Sequence, residues 1–147
     1  CTCSTIGDTA ERIGTDRGLD VVRVDRAMVE RAVELGGRVM VLVALESTVG
    51  PTAQLLSETA DATGRAVDVR VQAVDGAWAR FEAGDRDGYL NAVAQAIDAA
   101  SDDIDVIVLA QASMADAFDR THTAVPVLSS PRTAVEALFN SPGATRH

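Results

Sequence analysis

Short apolar runs rich in β-branched residues alternate along the chain with longer stretches in which apolar residues recur every three to four positions. The short runs predict five strands, over residues 21–24, 38–44, 67–74, 104–110 and 125–128. Two of them, 38–44 and 104–110, are apolar almost throughout, which is typical of strands covered by helices on both faces of a sheet. The alternation therefore predicts βα units around a parallel sheet.

The longer stretches predict helices over residues 25–35, 51–63, 76–83, 85–100 and 130–139. The first of these ends at Gly36 and Gly37, as expected because glycine is a frequent residue at helix C-termini. The second has Pro51 in its first turn, where a missing N–H is tolerated, and stops before Gly64. No long linker separates the elements, so the pattern predicts a three-layer α/β fold of repeated βα units.

The composition is that of a globular protein. Of the 147 residues, 47% are hydrophobic and 24% are charged, which excludes disordered and collagen-like classes. The formal net charge of −9 argues against a nucleic-acid partner, because binding to phosphates needs clustered Lys and Arg. All 13 basic residues are Arg, so no internal side chain can form the Schiff base of a lysine-bound cofactor.

The two cysteines, Cys1 and Cys3, are too close in sequence for a structural disulfide and too few for a metal cage. Thiol chemistry in a reducing compartment is the better use for them. No apolar run approaches the ~20 residues of a membrane helix and no signal-peptide pattern is present, so we expect a cytoplasmic protein without a membrane partner. Residues 1–7 have the pattern of a strand end and its turn, and we expect that a preceding part of the polypeptide is missing here.

The first candidate site is the turn formed by Cys3, Ser4 and Thr5, which we expect to begin a helix. A helix N-terminus stabilises a thiolate through the helix dipole. The N–H groups of the turn and the two hydroxyls could then hold a carboxylate or an enolate oxyanion. The alternative is that Cys3 is a small buried residue without reactivity, as free cysteines often are.

Small hydroxyl residues also follow two of the predicted strands, in the turns Glu46-Ser47-Thr48 and Gln111-Ala112-Ser113. The first turn comes after the strand at 38–44 and the second after the strand at 104–110. The carboxyl ends of parallel strands share one edge of a sheet, and ligands of α/β proteins usually bind at that edge. The pattern therefore predicts a site at these turns.

Four short motifs together resemble the aspartate/glutamate/hydantoin racemase superfamily. Cys3-Ser4-Thr5 matches the first cysteine turn of that family, in which Cys is followed by Asn or Ser and then by Thr. Residues 105–114 are similar to its second turn, 41–48 to its strand and carboxylate-binding Thr loop, and 125–128 to its late strand before the closing helix. The resemblance covers most of the chain and rests on the order and spacing of the motifs.

Members of this superfamily have two pseudo-symmetric α/β lobes with the site between them. The resemblance implies that residues 1–35 are the remainder of the N-terminal lobe, whose first part is missing from this chain. It assigns residues 36–120 to the second lobe, and 121–147 to a final strand and helix that return to the first lobe. It also implies that the protein needs no cofactor and no metal, and a homo-oligomer is compatible with such lobes.

In this family a cysteine from each lobe faces one side of the substrate α-carbon, so that one removes a proton and the other delivers one. Carried onto this sequence, Cys3 takes the first position and Gln111 takes the second. Glutamine exchanges no proton near neutral pH. The sequence therefore argues against two-thiol racemisation, and we interpret Gln111 as a hydrogen-bonding ligand of the substrate or its oxyanion.

The resemblance implies a cofactor-independent isomerase, similar to racemases and epimerases, that acts at the α-carbon of a small carboxylic acid or amino acid with Cys3 as the acid/base group. The carboxylate or enediolate would be bound by Ser4, Thr5, Thr48, Gln111, Ala112 and Ser113. One alternative is a one-thiol decarboxylase or cis–trans isomerase of the same superfamily, and another is a catalytically silent protein that binds small acids. Arg132 could clamp a carboxylate, although a surface ion pair is the more ordinary role for such a residue.

Overall fold

The computed structural model describes residues 1–100 and 103–140, which form a sheet of four parallel strands with helices on both faces. The strands are β1 (Arg38–Val43), β2 (Asp68–Ala73), β3 (Val106–Leu109) and β4 (Val127–Ser129), and they lie in the order β2-β1-β3-β4. The α-helices are α1 (Ser4–Asp16), α2 (Arg26–Leu35), α3 (Val49–Thr63), α4 (Ala77–Glu82), α5 (Arg86–Asp98) and α6 (Ser130–Asn140). Two 3-10 helices, η1 (Glu46–Thr48) and η2 (Ala112–Arg120), follow β1 and β3.

The central strands are buried on both faces, because successive residues of a strand point to opposite sides of the sheet. Val41 of β1 and Val108 of β3 pack in one cluster with the buried side chains of α2 and α3. Leu42 and Leu109 pack in a second cluster with those of α5. Full burial of one such side chain contributes roughly 1.5–3 kcal/mol. The parallel, three-layer α/β fold that the sequence predicts is thus confirmed.

The prediction of a strand at residues 21–24 is wrong. In this extended segment the N-terminal amino group of Cys1 donates to the Val22 carbonyl at 2.7 Å, and the Val24 N–H donates to the Cys1 carbonyl at 3.0 Å. A strand needs a ladder of such bonds with a neighbouring strand, and this segment pairs with none of the four strands of the described sheet. Its β-branched composition is therefore not sufficient to make it a strand.

Two further elements differ from the predictions. β4 begins two residues later than predicted, because Pro126 has no N–H for the ladder and contributes only its carbonyl, which accepts from the Ile107 N–H at 2.9 Å. The 3-10 helix η2 was not predicted at all. Its buried residues Met114 and Ala117 are three positions apart, which is the period of a 3-10 helix and the signal that could have revealed it.

The C-terminal segment joins the rest of the chain at two places. β4 pairs with β3 in the parallel sheet, while α6 packs against α2. Residues 141–147 of this segment lie outside the described part of the chain, and the division into lobes at residues 35 and 120 stays a prediction. No helix within the described residues is long and apolar enough to cross a membrane.

Candidate functional site

The loops after β1 and β3 lie side by side at the carboxyl edge of the sheet, because these two parallel strands are neighbours. The first loop runs through Ala44 and Leu45 into η1, and the second runs through Gln111 into η2. Helix α1 packs against α3 and η1, which brings the turn at Cys3 to the same region. The three turns singled out in the sequence are therefore connected through their contacts.

Gln111 links the loops after β1 and β3. Its side-chain Oε1 accepts hydrogen bonds from the backbone N–H groups of Ala44 at 2.6 Å and Leu45 at 3.1 Å. Two donors on one side of the amide identify that atom as the oxygen, so Nε2 lies on the other side. Nε2 has no hydrogen-bond partner among the described residues. The amide oxygen of Gln111 is thus already hydrogen-bonded within the protein, whereas its amide nitrogen can donate to a ligand.

Cys3 is the residue directly before the first turn of α1, in the N-cap position. Its backbone is extended, with φ −120° and ψ 115°, and its side chain makes no capping hydrogen bond. The thiol is exposed, so the alternative of a buried, unreactive cysteine does not hold. Cys1 lies next to it, and its Sγ donates to the Cys3 carbonyl at 3.6 Å. The structure thus places Cys3 at the start of a helix, as the sequence predicts.

A buried ion pair supports the turn at Cys3. Arg23 and Asp25 are 4% and 3% exposed, and their side chains are joined by two hydrogen bonds of 2.9 Å. Burial raises the pKa of Asp25, but hydrogen bonds from Arg23 and from the Ser4 hydroxyl oppose this and leave it below its usual value. The hydrogen bond to Asp25 also raises the pKa of Arg23. Ser4 is thereby tied to the protein interior, directly after Cys3.

The sequence pattern does not predict this ion pair. Arg23 fell inside a predicted strand, where a charged residue is normally taken to face solvent. The available signal was an Arg within a β-branched run followed two residues later by an Asp. A cavity of about 150 Å³ lies beside the pair and is lined by Ser4, Thr5, Asp8 and Arg23 together with residues of α3.

Two of the predicted hydroxyl ligands also have partners within the protein. Thr48 is 7% exposed, and its hydroxyl donates to the Leu45 carbonyl, which closes η1. The Ser113 hydroxyl lies 2.8 Å from the hydroxyl of Tyr89. Burial raises the pKa of Tyr89, so this phenol stays protonated at neutral pH. These hydroxyls therefore shape the loops, whereas the side chains of Cys3, Thr5 and Ala112 are exposed.

No group of three or more His, Cys, Asp or Glu side chains in the described part of the chain is arranged to hold a metal ion. His122, a further titratable residue, is 93% exposed and lies 3.3 Å from a carboxylate oxygen of Asp98.

Comparisons with known proteins agree with this architecture. Residues 3–138 match the family model described as Asp/Glu/Hydantoin racemase. No curated protein sequence matches the chain. Among solved structures, the glutamate racemase isoform RacE1 from Bacillus anthracis is similar with a TM-score of 0.63 and 18% sequence identity. The match covers 91% of this chain and 53% of that racemase, so the chain spans about half the length of its structural relative.

Proposed function

The chain belongs to the Asp/Glu/hydantoin racemase family, and we propose that it acts at the α-carbon of a small carboxylic acid or amino acid with Cys3 as the acid/base group. The observation that carries this proposal is the exposed thiol of Cys3 at the N-terminus of α1, a helix that packs against η1. No metal and no organic cofactor takes part in the proposed reaction.

In this reaction the Cys3 thiolate takes the α-proton of the bound substrate. The electron pair of the broken C–H bond passes into the carboxyl group, which becomes an enediolate, and the proton stays on the sulfur. Hydrogen-bond donors that point at the enediolate oxygens lower the barrier. Nε2 of Gln111 and the free N–H groups at the start of α1 are donors of this kind. Return of a proton to the α-carbon completes the cycle.

Gln111 favours one alternative reaction. Racemisation needs a proton donor on each face of the α-carbon, and a glutamine amide supplies none. A decarboxylation needs only one. In a substrate with two carboxylates on its α-carbon, the bond to one of them breaks and carbon dioxide leaves. The electron pair of that bond passes into the remaining carboxylate, which becomes an enediolate. The Cys3 thiol then delivers a proton to the α-carbon and regains one from water. A one-thiol decarboxylase of the same family is therefore the second candidate function.

Turnover of a panel of amino acids and small carboxylic acids in deuterium oxide tests the proposal. We expect the Cys3→Ser protein to lose at least about 100-fold in rate, because an alcohol does not ionise near neutral pH. The Cys1→Ser protein is the matched control and should keep its activity and its circular dichroism spectrum. Deuterium in recovered substrate would identify proton exchange at the α-carbon, whereas deuterium only in product would identify decarboxylation.

Two results would contradict the assignment. Unchanged turnover in the Cys3→Ser protein would show that this thiol is not the acid/base group. Absence of turnover for the whole panel, together with alkylation of Cys3 by iodoacetamide that a bound acid blocks, would instead identify a protein that binds small acids without catalysis.

A further inference from the structure

A second cavity, of about 210 Å³, lies where β3 and β4 end. Its apolar lining includes Leu109 of β3, Val127 of β4 and Phe118 of η2, and it reaches the first turn of α6. None of the residues proposed for the active site lines it. Sites for drug-sized ligands usually measure about 300–1,000 Å³, so this cavity fits only a small molecule.

Arg132 gives this cavity a positively charged group. It lies in the first turn of α6, a helix of 11 residues, and its Cζ is 5.1 Å from the centre of the Phe118 ring. The surface ion pair that the sequence suggests for Arg132 is not found among the described residues, where its guanidinium lies over the Phe118 ring instead. The ring holds the guanidinium in place without neutralising it. The helix N-terminus adds to the positive potential.

Two carboxylates line the same cavity. Asp116 forms an ion pair with Arg86 and is largely neutralised. Among the described residues, the Asp119 side chain forms no hydrogen bond or ion pair, with Arg132 or with any other group. A cation and an anion that have no ion-pair partner in the described part of the chain therefore line one small cavity, beside apolar side chains.

We propose that this cavity binds a small zwitterion, an α-amino acid, with its carboxylate at Arg132 and its ammonium group at Asp119. A simple anion would meet two carboxylates in the lining, and a simple cation would meet Arg132. Only a ligand with both charges is matched by both groups. The site goes beyond the proposed reaction at Cys3, because the two share no residue.

Nuclear magnetic resonance titration of the purified protein with glycine tests this proposal. The backbone amide signals of residues 115–119 and of Arg132 should shift with a saturable, millimolar dependence on glycine. Acetate and methylammonium, which carry one charge each, should bind at least about tenfold more weakly, since each forms only one of the two charge-assisted contacts. Equal binding of acetate and glycine would overturn the zwitterion assignment.

Variants separate this site from the proposed active site. Arg132→Gln and Asp119→Asn should each weaken glycine binding at least about tenfold. Arg31→Gln and Asp61→Asn remove the same charges from exposed residues elsewhere and should leave binding unchanged. Cys3→Ser should also leave it unchanged, whatever that variant does to turnover. Glycine-induced shifts confined to the loops at Cys3 and Gln111, or undiminished binding in both cavity variants, would refute the proposal.

Discussion

Gly7 and Gly50 are helical glycines in opposite surroundings. A Cβ added at Gly7 of α1 would lie 2.4 Å from Nε of the buried Arg23, whereas one added at Gly50 of α3 would meet nothing within 4 Å. Gly7→Ala should therefore lower the free energy of unfolding by about 1–3 kcal/mol through overpacking. Gly50→Ala should raise it by about 0.5–1 kcal/mol, since alanine loses less backbone entropy in a helix. Urea denaturation measures both, and equal effects at the two sites would contradict this account.

The contact between Gly7 and Arg23 is an example of a feature that the sequence around a single residue does not predict. The position of Cys3 at the start of a helix could be predicted from a local rule, since its small and hydroxyl neighbours are typical of a helix N-terminus. The buried ion pair of Arg23 and Asp25, which supports this turn, could not be predicted in the same way. Whether Arg23 faces solvent or Asp25 depends on the path of residues 21–25. The need for a glycine at position 7 arises only because the Arg23 guanidinium packs against it in the folded chain.

At the scale of elements, β1 and β3 could be predicted because their apolar residues fill both faces of a sheet. Strand β2 is an edge strand with a largely exposed surface, and its alternating polar residues identify it equally well. The segment at 21–24 is similarly rich in valine, but it pairs with no strand among the described residues. Pairing is a property of two segments, so composition of one alone could not decide between strand and extended loop.

A polar contact joins the amino ends of β1 and β3. The Asp105 carboxylate accepts from the backbone N–H of Arg38 at 2.9 Å and from its guanidinium at 3.2 and 2.5 Å. The approach is close, because a Cβ at Gly36 would lie 2.2 Å from that of Asp105. Hydrogen bonds from the Arg38 side chain and backbone lower the pKa of Asp105 to about 2.

This lowered pKa predicts a dependence of stability on pH. The value in the folded state lies below the usual ~3.9 of an unfolded chain, so the contact stabilises the fold above about pH 4 and is lost as the pH falls towards 2. Wild-type protein should exceed the Asp105→Asn variant in melting temperature at neutral pH, and the difference should shrink between pH 4 and pH 2. Asp61→Asn, on the exposed side of α3, should show no such convergence. A constant difference across this range would contradict the assignment.

At the scale of the whole molecule, α1 stands apart from the core. The fully buried residues of both hydrophobic clusters lie between Met28 and Ala117, while the buried residues of α1 are Gly7 and Gly14. Gly14 packs against Val21 as Gly7 packs against Arg23. Several large apolar side chains of the first 22 residues are exposed: Ile6, Ile13, Leu19 and Val22. The hydrophobic pattern of the sequence could predict the sheet and the helices on its two faces. It could not predict how α1 packs, because the residues that this helix buries are glycines.

The proposed reaction uses residues from two distant parts of the chain, Cys3 before α1 and Gln111 after β3. Gln111→Cys would place a second thiol where family members carry one. The thiol would lie closer to the backbone than Oε1 of Gln111, which accepts from the N–H groups of Ala44 and Leu45 at 2.6 and 3.1 Å.

With a proton carrier on each face of the α-carbon, the Gln111→Cys protein should interconvert the two enantiomers of a substrate whose α-proton the wild-type protein exchanges with retention. Chiral chromatography of the recovered substrate measures this directly. Gln111→Ser is the matched control, since it has a similar size and no thiol, and adding Cys3→Ser to Gln111→Cys should abolish the gain. If the cysteine and serine variants racemise at the same rate, the positions of Cys3 and Gln111 do not face one α-carbon, and the assignment of Gln111 to the second proton-transfer position fails.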